Sequence, residues 1–265
     1  MSTERTVSQL FDLRGKTALI SGAGGWLGSA MSRALAEAGA NVITTSRDAK
    51  RASESAAALP ANGGQSHFGV ALDHLDEASI ENGFTDALLR AGRIDILVNN
   101  GNAANASDLT TVTGDEFNRS LANATGYFLL ARKLHDHAVA RGGGGSVVMI
   151  GSMYGVVGSY PEAYEGVVPA SPVAYHALKG GIVHMTRHLG VYWAKDGVRV
   201  NCLSPGPFPG PAANATMVER LTTKSPMGRM GRPEELKGAL VFLASEASSY
   251  VTGQNLLVDG GWTAW

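Results

Sequence analysis

Residues 17–28 read TALISGAGGWLG, a short apolar run followed at once by a glycine-rich turn. The run has the length and composition of a buried strand, and the apolar residues that recur from Leu27 onward predict a helix. Glycine at such a turn lets backbone amides approach a pyrophosphate at the positive end of the helix. The alternative is a turn that only packs the helix against a sheet. The phosphate-binding interpretation places Ser21, Gly22, Gly24, Gly25, Trp26 and Leu27 on a cofactor.

The same strand and helix pattern repeats along the whole chain. Strands are predicted over 17–21, 41–45, 67–72, 94–99, 146–151, 198–203 and 255–258, and helices over 27–38, 48–59, 77–90, 115–140, 173–195 and 233–244. Several strands are continuously apolar, as expected of parallel strands covered on both faces. The pattern predicts a doubly wound α/β fold, with a parallel seven-stranded sheet flanked by helices in a single domain over 11–265 and a flexible N-terminal arm over 1–10.

The composition narrows the class of protein further. The 265 residues include 34 glycines and a single cysteine, with a formal net charge of −1. One cysteine excludes an internal disulfide framework, and the charge balance gives no attraction to nucleic acid or anionic lipid. The sequence has no apolar run long enough to span a membrane. We therefore expect a cytoplasmic protein with a small-molecule substrate and neither nucleic-acid nor membrane partners.

The end of the second predicted strand bears on the choice of cofactor. Ser46 and Arg47 stand where the adenosine ribose is held in dinucleotide-binding folds, about 20 residues beyond the glycine turn. An acidic residue at Ser46 would bind the ribose 2′-hydroxyl, whereas a hydroxyl followed by arginine suits a 2′-phosphate. NADP(H) is therefore favoured and NAD(H) remains possible. The alternative is that Arg47 is a solvated charge and Asp48 caps the next helix.

A second motif carries acid–base chemistry. Tyr175 and Lys179 lie four apart on a predicted helix, hence on one face. A neighbouring ammonium favours the phenolate and lowers the pKa of a tyrosine, which makes the pair a workable proton shuttle. Ser152, at the end of the fifth predicted strand, and Asn123, on the long fourth helix, are candidates to complete the group.

With these residues in place, the chain resembles the short-chain dehydrogenase/reductase family over essentially its whole length, and in particular its sugar and gluconate dehydrogenases. The matching segments are the 21–28 turn, Leu72-Asp73, Val98-Asn99-Asn100, Asn123, Ser152, Tyr175 with Lys179, the 201–206 segment NCLSPG and the 258–261 segment VDGG. The resemblance implies a Rossmann-type sheet and hydride transfer between NAD(P) and a carbonyl or secondary alcohol.

The resemblance also implies roles for particular residues. Tyr175 is the expected general acid/base, Lys179 lowers its pKa and holds the nicotinamide ribose, Ser152 binds the substrate oxygen, and Asn123 completes a proton relay through water. The cofactor is expected to contact further residues that follow the strands, namely Asp73, His74, Asn99, Asn100, Gly101, Pro205 and Gly206.

Two departures from the family pattern stand out. Trp26 replaces the middle glycine of the turn, which puts cofactor affinity in question. Tyr175 follows Ser152 by 23 positions, more than is usual in the family, and the longer segment carries Tyr160, Glu162 and Tyr164. Together with Ser152 and Phe208 these side chains are predicted to contact substrate, as a wall or lid; a bland surface loop is the alternative. Carboxylates and aromatic rings suit hydroxyl-rich ligands, so a sugar, sugar acid or polyol is expected.

Other functions remain open on the sequence alone. A 3-oxoacyl or general carbonyl reductase is the alternative enzyme, and a catalytically silent nicotinamide-binding scaffold or sensor is the alternative from another class. No metal site is expected, because His184 and His188 lack a third ligand. The family implies a homo-oligomer, either tetramer or dimer, and the helix around 236–243 with the aromatic C-terminus suits an interface.

Overall fold

The computed structural model describes residues 4–103, 109–167 and 171–265, and its centre is one parallel sheet. In these ranges the strands are β1 (Thr17–Ser21), β2 (Asn41–Ser46), β3 (His67–Ala71), β4 (Ile96–Asn99), β5 (Gly145–Ile150), β6 (Val198–Pro205) and β7 (Asn255–Val258). They lie in the order β3-β2-β1-β4-β5-β6-β7, with every neighbouring pair parallel. The order reverses direction between β1 and β4, so the crevice beyond their carboxyl ends is where a doubly wound fold binds ligands.

Helices cover both faces of this sheet. In the described ranges they are α1 (Val7–Leu10), α2 (Trp26–Glu37), α3 (Ala49–Ala57), α4 (Glu77–Ala91), α5 (Gly114–Ala140), α6 (Pro161–Tyr164), α7 (Val173–Tyr192), α8 (Ala215–Thr222) and α9 (Lys237–Ala244). None of these helices is long and apolar enough to cross a membrane. The start of α5 shows how the sequence sets a boundary: the Thr113 hydroxyl accepts a hydrogen bond from the Glu116 amide, and the Glu116 carboxylate accepts one from the Thr113 amide.

Two apolar clusters lie one on each face of the sheet, and the side chains of the central strands alternate between them. On β1, Leu19 packs with Leu97 and Val147 against α4, α5 and α7, while Ala18 and Ile20 pack on the other face against α2 and α9. Every residue of β1 is buried. This two-sided burial explains why the strands read as continuously apolar, since neither face meets water.

The predicted fold class is confirmed, and all seven strands lie where the sequence places them, within two residues at either end. The six predicted helices correspond to α2 to α5, α7 and α9. Two of them are shorter than predicted, because 3₁₀ turns occupy Ala194–Asp196 and Pro233–Leu236. The short helices α6 and α8 were not predicted.

The predicted N-terminal arm contains structure. Residues 1–3 lie outside the described residues, but Val7–Leu10 form one helical turn, capped by Thr6. The next residue, Phe11, packs its ring 6.4 Å from that of Phe242 on α9. The description of 1–10 as a uniformly flexible arm is therefore too simple, because a capping box and an aromatic contact hold part of it.

Candidate active site

The glycine-rich turn between β1 and α2 is built against the end of β4. Gly22 has φ +63°, and a Cβ there would lie 2.9 Å from Gly101 Cα, so a side chain fits neither the conformation nor the space. Ser21 Oγ accepts hydrogen bonds of 2.9 Å from the amides of Asn100 and Gly101. Asn100 Nδ2 in turn donates to Ser21 O and Gly22 O. The two loops are thereby fixed to each other at the point where the sheet order reverses.

These loops border a cavity of about 640 Å³ at the carboxyl edge of the sheet, here called the main cleft. The structure brings nearly all the predicted cofactor residues onto its wall. They are Ser21, Gly22, Gly24, Gly25, Trp26, Leu27, Ser46, Arg47, Asp73, His74, Asn100, Gly101, Tyr175, Lys179, Pro205 and Gly206. Ser152 and Phe208 line the same cleft.

The donor groups of the main cleft fit a nicotinamide dinucleotide. Gly25 precedes α2 without a side-chain cap, so the first amides of the helix are open to an anion at its positive end. A Cβ on Gly24 would approach Ser55 Oγ to 3.0 Å, which shows how closely this turn lies against α3. At the end of β2, the exposed guanidinium groups of Arg47 and Arg51 line the cleft and form no ion pair with a described residue.

Asn99 is an exception to the predicted set. It is fully buried, and its Nδ2 donates to Tyr127 O at 2.8 Å on the core side of β4. Asn99 is the last residue of β4 and does not line the cleft, whereas the next residue, Asn100, does. The prediction that the Asn99 side chain meets the adenosine is therefore wrong, and Asn100 is the member of the pair that lines the cleft.

Three of the four candidate catalytic residues converge where α7 meets the ends of β5 and β6, namely Ser152, Tyr175 and Lys179. Ser152 and Lys179 are buried, at 6% and 3% exposure, whereas Tyr175 is partly exposed to the cleft. Tyr175 and Ser152 line the main cleft together, and Ser152 Oγ accepts a hydrogen bond of 3.2 Å from the Tyr154 amide. Lys179 Nζ donates to Ile150 O at 2.8 Å and lies 5.5 Å from the centre of the Tyr175 ring. One turn of α7 therefore presents an acid–base group next to a buried cation.

Burial dominates the titration of this group. It raises the pKa of Tyr175, and the Ser152 side chain opposes that shift. That Lys179 lowers the pKa of Tyr175 stays a prediction. Burial lowers the pKa of Lys179 to about 8. An ammonium with this pKa is mostly charged at neutral pH and can still release its proton under mildly alkaline conditions.

Asn123 is fully buried on α5 and lines neither the main cleft nor the cavity beside it. Its Oδ1 accepts hydrogen bonds of 2.8 Å from His74 Nε2 and from the Ala103 amide, and its Nδ2 donates to Ser120 O. The side chain thus ties the segment after β4 and the segment after β3 to α5. In this geometry the amide positions the walls of the cleft, and a water relay through Asn123 stays a prediction.

A smaller cavity of about 230 Å³ opens beside Tyr175 and is here called the side cavity. Its walls are Asn102, Ala103, Ser120, Tyr154, Ser171, Pro172, Tyr175 and Leu178, and it shares Asn102, Ala103 and Tyr175 with the main cleft. A substrate atom in the side cavity would therefore reach the tyrosine from one direction while a cofactor in the main cleft reaches it from another.

The predicted substrate residues of the longer segment do not line either cavity. Tyr160 packs edge-on against Trp262, and Glu162 forms a 2.9 Å ion pair with Lys224. Tyr164 is buried and bonds through its hydroxyl to the Tyr154 hydroxyl at 2.7 Å. The placement of Tyr160, Glu162 and Tyr164 on the substrate is wrong, because the segment folds as α6 and packs on α8 through Leu221. Residues 168–170 of this segment lie outside the described residues.

Sequence reasoning missed several residues that line one or the other of the two cavities. Arg51 and Ser55 line the main cleft from α3, and Tyr154, Ser120 and Ser171 line the side cavity. Tyr154 follows Ser152 by two positions, so it could have been suspected. Ser120 and Ser171 carry no local signal, since only the folded chain brings α5 and the start of α7 together.

The titratable side chains of the described residues do not form a metal site. No group of three or more His, Cys, Asp or Glu side chains is arranged there to hold a metal ion. His188 packs its ring 4.5 Å from that of Tyr192 near the end of α7. Cys202 is a buried free thiol on β6.

Comparison with known proteins agrees with this geometry. A family model described as enoyl-(acyl carrier protein) reductase matches residues 22–263. The chain is 34% identical to galactitol 2-dehydrogenase (L-tagatose-forming) of Cereibacter sphaeroides, over 97% of this chain and 98% of that one. It is 31% identical to gluconate 5-dehydrogenase of Gluconobacter oxydans, over 96% and 97% of the two chains.

A solved structure is similar throughout. It is that of a gluconate 5-dehydrogenase from Burkholderia cenocepacia in complex with NADP and tartrate, with a TM-score of 0.87 and 31% identity over 98% of this chain and all of that one. The fold, the Ser152, Tyr175 and Lys179 group and these full-length similarities lead to one conclusion: the chain belongs to the short-chain dehydrogenase/reductase family.

Proposed function

We propose that this oxidoreductase transfers a hydride between a nicotinamide dinucleotide and a secondary alcohol of a polyol, sugar or sugar acid. The observation that carries the proposal is the position of Tyr175. It lines both the main cleft and the side cavity, and it shares the main cleft with Ser152 and Lys179. The similarity to galactitol and gluconate dehydrogenases supports the substrate class.

In this mechanism the bound nicotinamide supplies the site that accepts or gives the hydride. Tyr175 takes the proton of the substrate hydroxyl during oxidation and returns it during reduction. Ser152, fixed at the end of β5, donates a hydrogen bond to the substrate oxygen and orients it. Lys179 places a positive charge beside the phenol at the moment it loses its proton, while Asn123 holds the neighbouring loops.

Replacement of Tyr175 tests the mechanism. Tyr175→Phe should lower kcat by at least about 10²-fold, because general acid–base catalysis is lost, and should change the cofactor Kd little. Dinucleotide reduction is followed with polyols, aldonates and sugars, alongside 3-oxoacyl thioesters and hydrophobic ketones in the reverse direction. A variant with near-normal kcat, or a clear preference for thioesters and hydrophobic ketones, contradicts the proposal.

We also propose that NADP(H) is preferred over NAD(H). Ser46 offers a hydroxyl in place of a carboxylate at the end of β2, and Arg47 and Arg51 provide two guanidinium groups without ion-pair partners among the described residues. A 2′-phosphate is well matched to such groups, since guanidinium binds phosphate oxygens through paired hydrogen bonds.

The cofactor preference is tested by Arg47→Ala. The variant should bind NADP⁺ about tenfold more weakly and NAD⁺ about as well as the wild type, as measured by calorimetry. Lys50→Ala is the matched control, because Lys50 is a nearby cation in the first turn of α3 that pairs with Glu54 and does not line the cleft. A wild-type protein that binds NAD⁺ more tightly than NADP⁺ overturns the preference.

We further propose a cytoplasmic homo-oligomer, a dimer or tetramer. The buried free thiol of Cys202 suits a reducing compartment. Leu236, Leu240 and Leu243 are buried within the chain's own core, so these side chains are not free for an interface, and the interface expected on the helix around 236–243 with the aromatic C-terminus stays a prediction. Val191 and Tyr192 at the end of α7, exposed at 74% and 63%, are better candidates. Sedimentation velocity checks this: a monomer at micromolar concentration contradicts it.

A further inference from the structure

The side cavity differs chemically from the main cleft in its polar groups. Asn102 contributes an amide, and Ser120, Ser171 and Tyr154 contribute hydroxyls. All of these are neutral groups that both donate and accept hydrogen bonds, as the hydroxyls of a polyol do. None of the described residues that line the side cavity is Lys or Arg, and the cations next to a lining residue in the chain are the buried Lys179, beside Leu178, and the exposed Arg119, beside Ser120.

Three cations of the neighbouring elements already have partners. Lys179 Nζ donates to Ile150 O, Lys224 pairs with Glu162, and Arg220 donates to the carbonyl oxygens of Glu162 and Glu165. His176 lies close by, but burial lowers its pKa, so it is neutral at pH 7. A substrate carboxylate in the side cavity would give up its hydration without meeting a positive charge, which is unfavourable.

Tyr154 is the most rigidly held of the neutral groups. Its ring stacks on His176 at 4.6 Å between centroids, and its hydroxyl is bonded to the Tyr164 hydroxyl at 2.7 Å. Tyr164 is itself fixed in an apolar cluster with Met153 and Trp262. One hydrogen bond between two phenols uses only one of their two protons, so the pair keeps one donor and several lone pairs for a ligand.

We propose that the substrate is an uncharged polyol or sugar rather than a sugar acid, and that Tyr154 is the residue that selects it by binding a hydroxyl adjacent to the one that reacts at Tyr175. The inference rests on the function proposed above and narrows its substrate class. Burial raises the pKa of Tyr154, which keeps this phenol a neutral donor throughout the pH range of an assay.

The test compares polyols of four to six carbons with the aldonates that differ from them only at one terminal carbon, for example glucitol with gluconate. The wild-type enzyme, supplied with NADP⁺ and with NAD⁺ in separate arms, should show kcat/KM at least about 100-fold higher for a polyol than for its aldonate. Equal or better use of the aldonate overturns the inference and leaves the proposed function standing. Turnover of neither series, nor of sugars, instead overturns the proposed function itself.

Two variants examine the selection directly. Tyr154→Phe keeps the stack on His176 and removes the hydroxyl, so KM for the best polyol should rise about tenfold with kcat changed less than threefold. Thermal-shift titration of the dinucleotide-loaded protein should show the same weakening of polyol binding. Tyr250→Phe, at a fully exposed tyrosine, is the control for loss of a phenol hydroxyl. An unchanged KM and unchanged polyol binding in Tyr154→Phe contradict the role of this residue.

The second variant adds the missing charge. Ser171→Lys places a cation on the wall of the side cavity, and kcat/KM for the aldonates should rise about tenfold while that for the polyols does not. This result is readable even if Tyr154→Phe fails to fold. No gain with any aldonate contradicts the charge argument.

Discussion

Trp26 joins two loops that lie on different sides of the main cleft. It occupies the first position of α2, is 46% exposed, and lines the cleft. Gly210, in the loop between β6 and α8, lies against its indole: a Cβ at Gly210 would be 3.7 Å from Trp26 Cγ. The tryptophan that interrupts the family's glycine pattern therefore lies between the glycine-rich turn and the loop that follows Pro205 and Gly206.

Restoring the family residue should consequently weaken cofactor binding. In Trp26→Gly the contact with Gly210 is lost and a glycine is introduced into the first turn of α2, which costs helix stability. We expect the dinucleotide Kd, measured by isothermal titration calorimetry, to rise about fivefold to tenfold. Trp26→Phe keeps an aromatic ring against Gly210 and should stay within twofold of the wild type. Tighter binding by Trp26→Gly contradicts the bridging role.

Lys179 makes stability depend on pH. Its pKa is about 8 in the folded protein against an ordinary 10.5, so between these values the unfolded chain binds more protons than the folded one. The contribution of this residue to the free energy of unfolding is therefore least favourable below pH 8 and improves as pH rises.

Lys179→Met removes that contribution. The quantity to compare is the free energy of unfolding of the wild type minus that of the variant. This difference should increase by up to about 3 kcal/mol from pH 7 to pH 10. Urea denaturation at four pH values in this range measures it, and Tyr175 and Cys202 are common to both proteins. A difference that stays constant or falls with pH contradicts a lowered lysine pKa.

Individual residues also show where sequence reasoning stops. The chemistry of Tyr175, Lys179 and Ser152 is readable because the spacing on a helix and the end of a strand fix where those side chains point. Asn99 was misplaced because nothing local reveals that its side-chain amide donates to Tyr127 O on α5. Tyr160 and Glu162 were misplaced because nothing local reveals that Trp262 and Lys224, about a hundred and about sixty residues later, are their partners.

At the level of elements, predictability follows the amount of surface that each element buries. The strands and long helices carry repeated apolar residues, so their periodicity is strong. In contrast, α8 buries only Leu221 among its described residues, and α6 is a single turn. Helices this short are set by capping and by neighbours, such as the Asn214 side chain that accepts from the Met217 amide, and a period cannot be detected in them.

Arg220 on α8 forms hydrogen bonds with the backbone of the α6 segment. Arg220 Nη1 donates to Glu162 O at 3.1 Å and to Glu165 O at 2.8 Å. In Arg220→Ala, amide hydrogen exchange over 161–167 should accelerate about tenfold, while the global free energy of unfolding changes by less than about 1 kcal/mol. Arg187→Ala, at an exposed arginine of α7, is the control. Unchanged exchange over 161–167 contradicts the anchoring role of Arg220.

For the whole molecule, the two apolar clusters are joined by strands whose side chains point alternately into one cluster and the other. Leu19 belongs to one cluster while its neighbours Ala18 and Ile20 belong to the other, and β4 and β5 do the same. Neither face of the sheet can be exposed without removing support from the other. The alternation of strands and helices was enough to predict this architecture, but the β3-β2-β1-β4-β5-β6-β7 order needed the structure, since local patterns do not state which strands are neighbours.

A single cooperative unfolding transition is the expected result. Tryptophans lie in separate parts of the fold, at Trp26, Trp193 and Trp262, so fluorescence samples several regions while far-UV circular dichroism reports the backbone. At a fixed protein concentration, the two signals should give the same midpoint in urea. Separate midpoints would show that 11–265 contains more than one folding unit.

The contact between Trp26 and Gly210 has a further consequence for how this enzyme can be observed. Reduced nicotinamides absorb near-ultraviolet light in the range where indoles emit, so energy transfer from Trp26 should reveal a bound dinucleotide without any label. Because Trp26 lines the main cleft, the part of this transfer that comes from Trp26 should vanish in Trp26→Phe while binding persists. The fluorescence of Trp26, the residue that departs from the family pattern, should therefore report whether a reduced dinucleotide is bound in the main cleft.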